Sequence, residues 1–63
     1  MNEEKIVMGL IRKDCEINGC AEESRLAKMA SLMNIHPEKY QRALENLIET
    51  RKIDKRGKNF FLV

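Results

Sequence analysis

The last thirteen residues carry a concentration of positive charge that could contact a polyanion. Residues 51–63 hold five lysines and arginines against one aspartate, whereas residues 1–50 hold seven basic residues against nine acidic ones. The basic side chains of this segment are Arg51, Lys52, Lys55, Arg56 and Lys58. Clustered cations favour a partner such as a nucleic acid, and the alternative is a solvated, charged turn.

Two cysteines and one histidine are the residues that could bind a metal or act in redox chemistry. Cys15 and Cys20 are separated by four residues, and His36 is the single histidine. A structural zinc site needs four ligands, usually in closer pairs, and His36 would be a third ligand with no fourth in view. We therefore expect two free thiols and no cofactor, with a disulfide switch or a metal shared across a dimer as the alternatives.

Catalysis is not indicated. The sequence has no glycine-rich phosphate loop and no nucleophile arranged beside His36, and its 63 residues leave little room for a ligand pocket. We expect one domain over residues 1–63, not an enzyme. No apolar run approaches the roughly 20 residues that span a bilayer, and the N-terminus is acidic, unlike a signal peptide. A cytoplasmic protein with no membrane partner is expected.

Two apolar stripes with helical spacing lie at the centre of the chain. The first is formed by Leu26, Met29, Ala30 and Met33, and the second by Tyr40, Ala43, Leu44, Leu47 and Ile48. Both follow the period of an α-helix and neither follows the alternation of a strand. Asn34 suits the left-handed turn out of the first helix, and Pro37 suits the first turn of the second. The short break predicts two helices that cross steeply, as in a helix-turn-helix.

The flanking segments predict a further helix and a hairpin. Helix 1 is expected from about Glu3 to Asp14, with Asn2 as its N-cap. The connector 15–20 contains Asn18-Gly19, which is a turn signal. It also contains Ile17, whose side chain could enter the core as part of a one- or two-residue strand. Helix 2 is expected over about 21–33. Helix 3 is expected from Pro37 to about Thr50 or Arg51, with His36 as its N-cap and Arg51-Lys52 at the negative end of its dipole.

The C-terminal segment predicts a β-hairpin. Gly57 supplies the positive φ that the turn 55–58 needs, and β-branched and aromatic residues surround it. Phe60 and Leu62 are expected to pack inward beside Ile53. The predicted fold class is therefore mainly α with a small β-hairpin (α+β).

This pattern resembles the winged helix-turn-helix family over nearly all of the chain. The residues that carry the resemblance are Met29-Ala30, Met33-Asn34-Ile35, Tyr40, Ala43-Leu44 and the hairpin RKIDKRGKNFFLV. Ala30 matches the small residue that lets helix 3 cross closely, and Asn34 stands where the family usually has glycine. Tyr40 is larger than the valine or isoleucine usual at its position. The resemblance implies a small DNA-binding protein, commonly a transcription regulator.

On this resemblance, helix 3 is the recognition helix and the hairpin is the wing. The side chains expected to face double-stranded DNA from helix 3 are His36, Lys39, Gln41, Arg42 and Asn46. Gln41 can pair with adenine and Arg42 with guanine, and Lys39 suits a phosphate. Glu38 and Glu45 on the same side oppose this interpretation, which leaves an ordinary solvated helix face as the alternative. The wing is expected to contact phosphates through its cations.

Two other functions stay open on the sequence. A protein-interaction adaptor with the same fold would account for the negative balance of residues 1–50 and the acids of helix 3. A thiol or metal sensor would use Cys15 and Cys20. The sequence does not decide between a monomer and a homodimer, nor does it identify a target sequence or distinguish activation from repression.

Overall fold

Residues 3–63, which the computed structural model describes, form three helices and three short strands. The order is α1 (Glu3–Asn18), β1 (Ala21–Glu22), α2 (Glu23–Leu32), α3 (Pro37–Glu49), β2 (Ile53–Arg56) and β3 (Asn59–Leu62). The fold is mainly α with a small antiparallel sheet, so the predicted fold class is confirmed. The proposed N-cap, Asn2, lies outside the described residues.

Helix α1 is longer than predicted. It continues through Cys15 and Ile17 and ends at Asn18, where Gly19 has a φ of +85°. The expectation that Ile17 enters the core is wrong, because the extra turn of helix points this side chain outward and leaves it 71% exposed. The turn signal at Asn18-Gly19 was in the right place, and the helix simply reaches it.

A short strand does precede α2, but it lies at Ala21–Glu22 and not at Ile17. It pairs antiparallel with β3, so that Ala21 lies opposite Phe60, and the sheet order is β1-β3-β2. Helix α2 consequently begins at Glu23, two residues later than predicted. The strand exists because β3 offers it a hydrogen-bonding edge, which the local sequence does not reveal.

The break between α2 and α3 has the predicted conformation. Asn34 adopts a left-handed φ of 60°, and the N–H of Ile35 donates to the carbonyl of Ala30 at 3.0 Å. Helix α3 then begins with Pro37 in its first turn. The tight reversal places Ala30 and Ile35 in the core between the two helices.

One core joins all of the elements. Its buried apolar side chains are Val7, Ile11, Ala21, Leu26, Ala30, Ile35, Tyr40, Ala43, Leu44, Leu47, Ile53 and Phe60. Three residues predicted to be buried are largely exposed: Met33 (53%), Ile48 (37%) and Leu62 (43%). Each lies at or just beyond the end of its helix or strand, so the apolar pattern in the sequence extends past the core.

The hairpin turn is shorter than predicted. Strand β2 continues through Lys55 and Arg56, and the turn itself is Gly57-Lys58, with Gly57 at a φ of 61°. A two-residue turn with positive φ matches the twist of an antiparallel pair. Ile53 and Phe60 face the core as expected. Within residues 3–63, no helix is both long and apolar enough to cross a membrane.

Candidate nucleic-acid interface

Helix α3 presents its polar side chains to solvent, as the sequence predicted. Tyr40, Ala43, Leu44 and Leu47 are buried, and the opposite side of the helix is exposed. The exposed residues include every candidate on this helix, namely Lys39, Gln41, Arg42 and Asn46, together with the acids Glu38, Glu45 and Glu49. With Lys39 and Arg42 as its only cations, the exposed face of α3 carries one more acid than base.

His36 caps the start of α3. Its Nδ1 accepts a hydrogen bond from the backbone N–H of Glu38 at 3.2 Å, which satisfies one of the unpaired donors of the first turn. The ring is exposed and its Nε2 remains available to a partner. The predicted capping role is confirmed.

Lys39 is already paired with a carboxylate of α1. Its Nζ lies 3.4 Å from Oε1 of Glu3. A hydrogen bond from the Glu3 backbone N–H, followed by the contact with Lys39, lowers the pKa of the Glu3 carboxyl. Lys39 also lines a cleft of about 240 Å³ between α1 and α3, with Glu4, Arg42 and Asn46 among the other walls. Any phosphate that contacts Lys39 must compete with Glu3.

The hairpin tip holds three exposed cations. Lys55 Nζ lies 5.9 Å from the centroid of the Phe60 ring, and the Arg56 guanidinium lies 5.8 Å from that of Phe61. Arg56 Nε also lies 3.2 Å from Asp54 Oδ2. These contacts are solvent-exposed and weak. A phosphate that binds Arg56 must compete with Asp54, as one that binds Lys39 must compete with Glu3. Lys58, in the turn, lies beside Glu22 and Glu23.

Arg51 and Lys52 lie at the other end of the hairpin. They line a cleft of about 450 Å³ whose remaining walls are Met8, Arg12, Leu62 and Val63. Arg51 follows the end of α3 and has a left-handed φ of 59°, which turns the chain into β2. The sequence had placed Arg51 in the last helical turn, whereas α3 ends at Glu49 with Thr50 as its C-cap.

The ten predicted contact residues therefore fall into three groups. One lies on α3 beside the acidic start of α1, one lies at the hairpin tip, and Arg51 and Lys52 lie with Arg12 at the hairpin base. The sequence analysis did not identify two α1 residues that lie beside these groups. Glu3 is paired with Lys39, and Arg12 lines the same cleft as Lys52. Both come from α1, and no local pattern links them to positions about forty residues away.

A buried aspartate fixes α1 against β1 and α2. Asp14 is 5% exposed and accepts hydrogen bonds from Asn18 Nδ2 (2.6 Å), the backbone N–H of Glu22 (3.2 Å) and Arg25 Nε (3.2 Å). Burial raises the pKa of its carboxyl, but these three donors outweigh burial and hold the pKa below the ordinary value of 3.8. Asp14 therefore stabilises the scaffold by joining three elements.

The two cysteines are free and half-buried. The Cys15 thiol donates to the carbonyl of Phe60 at 3.7 Å, and burial raises its pKa. A raised pKa reduces the thiolate fraction and with it the reactivity of this sulfur. Within residues 3–63, no group of three or more His, Cys, Asp or Glu side chains is arranged to hold a metal ion.

Comparison of the chain with protein-family models, with curated proteins and with solved structures found no match.

Proposed function

We propose that this chain is a DNA-binding protein of the winged helix-turn-helix type and regulates transcription. The observation that carries the proposal is the order of the elements: α2, a tight left-handed turn and α3 are followed by a hairpin whose tip presents three exposed cations. In such an arrangement the N-terminal half of α3 enters the major groove and the hairpin contacts the backbone. Gln41 and Arg42 are the exposed α3 side chains suited to read base edges.

In this proposal the hairpin tip supplies most of the electrostatic attraction between the protein and the duplex. The exposed face of α3 carries Glu38, Glu45 and Glu49, which repel a polyanion, so α3 supplies sequence preference and little of the attraction. Lys55, Arg56 and Lys58 neutralise phosphates and release counterions, a contribution that does not depend on sequence. Lys39 joins them only where a phosphate displaces Glu3.

A fluorescence-anisotropy titration of a labelled duplex at several salt concentrations tests this proposal. We expect binding that weakens steeply with salt, with a log–log slope of roughly −0.9 for each phosphate neutralised. Arg56→Ala with Lys58→Ala should weaken binding to every duplex and make the slope shallower by about 2. The matched control removes the same charge from exposed positions on α1, through Lys5→Ala with Lys13→Ala. Absence of binding at low salt would refute the proposal.

Selection from a random duplex library distinguishes residues that recognise bases from residues that contact phosphates. We expect Arg42→Ala to lose preference at one base pair, at a cost of about 1–3 kcal/mol for the preferred site, with weaker effects elsewhere. Equal loss on all sequences would assign Arg42 to a phosphate and not to a base. The free thiols fit a reducing compartment, so we place the activity in the cytoplasm.

A second candidate function is that of a protein-interaction adaptor. The observation in its favour is the excess of exposed glutamates on α3, together with the pairing of Lys39 to Glu3. A partner that presents basic side chains would complement that face. A co-purified protein with no associated nucleic acid, combined with loss of that protein in Glu45→Lys, would favour this function over DNA binding.

A further inference from the structure

The cleft at the hairpin base combines exposed apolar surface with three exposed cations. Three apolar residues line it, which we call its floor (Met8, Leu62 and Val63), and so do three cations, which we call its rim (Arg12, Arg51 and Lys52). None of these six lining residues is acidic, and Leu62 is 43% exposed. A phosphate backbone would use the cations and leave the apolar floor uncovered. The cleft therefore fits a segment in which an aliphatic side chain lies between carboxylates.

The chain itself carries such a segment on α3. Ile48 is 37% exposed, and Glu45 and Glu49 lie beside it, three residues before and one residue after. On a helix, Glu45 and Glu49 are four residues apart and therefore lie on the same side, next to Ile48. This ridge of Glu45, Ile48 and Glu49 has the charge opposite to that of the cleft, and an apolar side chain to match its floor.

The ridge and the cleft lie side by side. The N–H of Arg51 donates to the carbonyl of Ile48 at 3.0 Å, so the last turn of α3 leads directly from the ridge to the rim of the cleft. The three residues of the ridge and the three cations of the cleft are all exposed, so both surfaces are available to another molecule. Two complementary patches that adjoin on one face can pair reciprocally about a twofold axis and close the assembly at two copies.

We propose that two copies of this chain form a homodimer in which the Glu45–Ile48–Glu49 ridge of each docks in the basic cleft of the other. Ile48 covers Met8 and Leu62, and the carboxylates face Arg12, Arg51 and Lys52. The contact uses the C-terminal half of α3 and the hairpin base, at the end of the hairpin opposite its tip. It does not depend on DNA binding.

Charge exchange between copies tests the proposal, with sedimentation equilibrium as the measurement. Arg12→Glu with Lys52→Glu makes the cleft acidic, and Glu45→Lys with Glu49→Lys makes the ridge basic. We expect each variant alone to dimerise at least about tenfold more weakly than the wild type. An equimolar mixture of the two should recover dimers, because every ridge–cleft contact is again between opposite charges. Lys5→Glu with Lys13→Glu is the matched control and should leave the dimer intact.

Two further measurements keep the result interpretable. All the substituted side chains are exposed, and circular-dichroism melting at low protein concentration checks that the variants fold. Ile48→Ser removes the apolar half of the contact and should weaken the dimer without any change of charge. A wild-type chain that stays monomeric up to roughly millimolar concentration overturns the proposal, as does a mixture that stays monomeric. Neither outcome bears on DNA binding, which the anisotropy titration measures separately.

Discussion

Lys39 Nζ lies 3.4 Å from Glu3 Oε1, so a cation of the recognition-helix candidate is paired with a carboxylate in the first turn of α1. The pair spans the cleft between α1 and α3 and is solvent-exposed on the lysine side. An exposed pair of this kind adds little to stability, and its main effect is on what Lys39 can contact.

Glu3→Gln should therefore tighten DNA binding. The substitution frees Lys39 for a phosphate, and we expect an increase in affinity of about two- to fivefold at low salt, with a steeper salt slope. Anisotropy titrations of the variant and the wild type measure both quantities. Glu16→Gln makes the same charge change at an exposed position near the end of α1 and serves as the control. Equal tightening by both variants would mean that only net charge matters.

Asp14→Asn should destabilise the fold without a direct effect on the interface. The buried carboxylate accepts hydrogen bonds from Asn18, Arg25 and the Glu22 backbone, and an amide cannot accept from all three. We expect the free energy of unfolding to fall by about 1–3 kcal/mol, measured by urea denaturation. Glu16→Gln, also on α1 but exposed, should change it by less than about 0.5 kcal/mol. Equal stabilities of the variant and the wild type would show that the three hydrogen bonds make no net contribution to the free energy of unfolding.

The same carboxylate predicts an acid-dependent difference in stability. Because the pKa of Asp14 is lower in the folded chain than its ordinary value of 3.8, its contribution is present above pH 3.8 and is lost as pH falls through the folded pKa. The stability difference between the wild type and Asp14→Asn should therefore be constant near neutral pH. It should shrink below pH 3.8, as urea denaturation across a pH series would show. A difference that persists unchanged into acid would exclude ionisation as its origin.

Tyr40→Phe should stabilise the protein. Within residues 3–63 the buried Tyr40 hydroxyl has no hydrogen-bond partner, so the wild type loses the hydration of this group without replacement. We expect the free energy of unfolding to rise by roughly 1 kcal/mol, measured by chemical denaturation. Tyr40→Ala removes the ring as well and should lower stability by about 3–5 kcal/mol. A loss of stability in Tyr40→Phe would reveal a partner for the hydroxyl.

The ionisation of Tyr40 gives an independent check. Burial, and then the nearby charge of Glu23, raises the pKa of this phenol to about 12. Tyr40 is the only tyrosine and the chain has no tryptophan, so tyrosinate absorbance reports on it alone. Because the folded chain keeps the phenol neutral, its ionisation does not affect stability below pH 10, and stability should fall as pH rises from 10 towards 12. Titration of the phenol near pH 10 in the folded chain would contradict the burial of its hydroxyl.

The helices were predictable because their apolar residues repeat with a period that only a helix satisfies, and Asn34, His36 and Pro37 mark their boundaries chemically. The two-residue strand at Ala21 was not, because it exists only through its pairing with Phe60. Periodicity placed Met33 and Ile48 on the apolar stripes of their helices, but it did not show that the core ends before them. Contacts between distant positions, such as Asp14 with Arg25 and Glu3 with Lys39, depend on how the helices pack and leave no local signal.

The sequence was enough to identify the candidate contact residues by their side-chain type. It was not enough to show which of them lie together in the folded chain. A run of cations is visible in residues 51–63, but the hairpin separates Arg51 and Lys52 from Lys55, Arg56 and Lys58 by placing them at its opposite ends. The acidic excess on α3 likewise becomes clear only when Glu49 is seen to share the exposed side with Glu38 and Glu45.

Strand β1 has a thermodynamic consequence for the hairpin. Its pairing with β3, and the hydrogen bond from the Glu23 N–H to the Lys58 carbonyl at 2.9 Å, hold the backbone of the turn from the side opposite to β2. A hairpin without a third strand beside β3 would be more mobile and would lose more conformational entropy when it binds a partner. Here folding has already imposed most of that loss, so association through the tip should carry a small ordering penalty and a correspondingly small change in heat capacity.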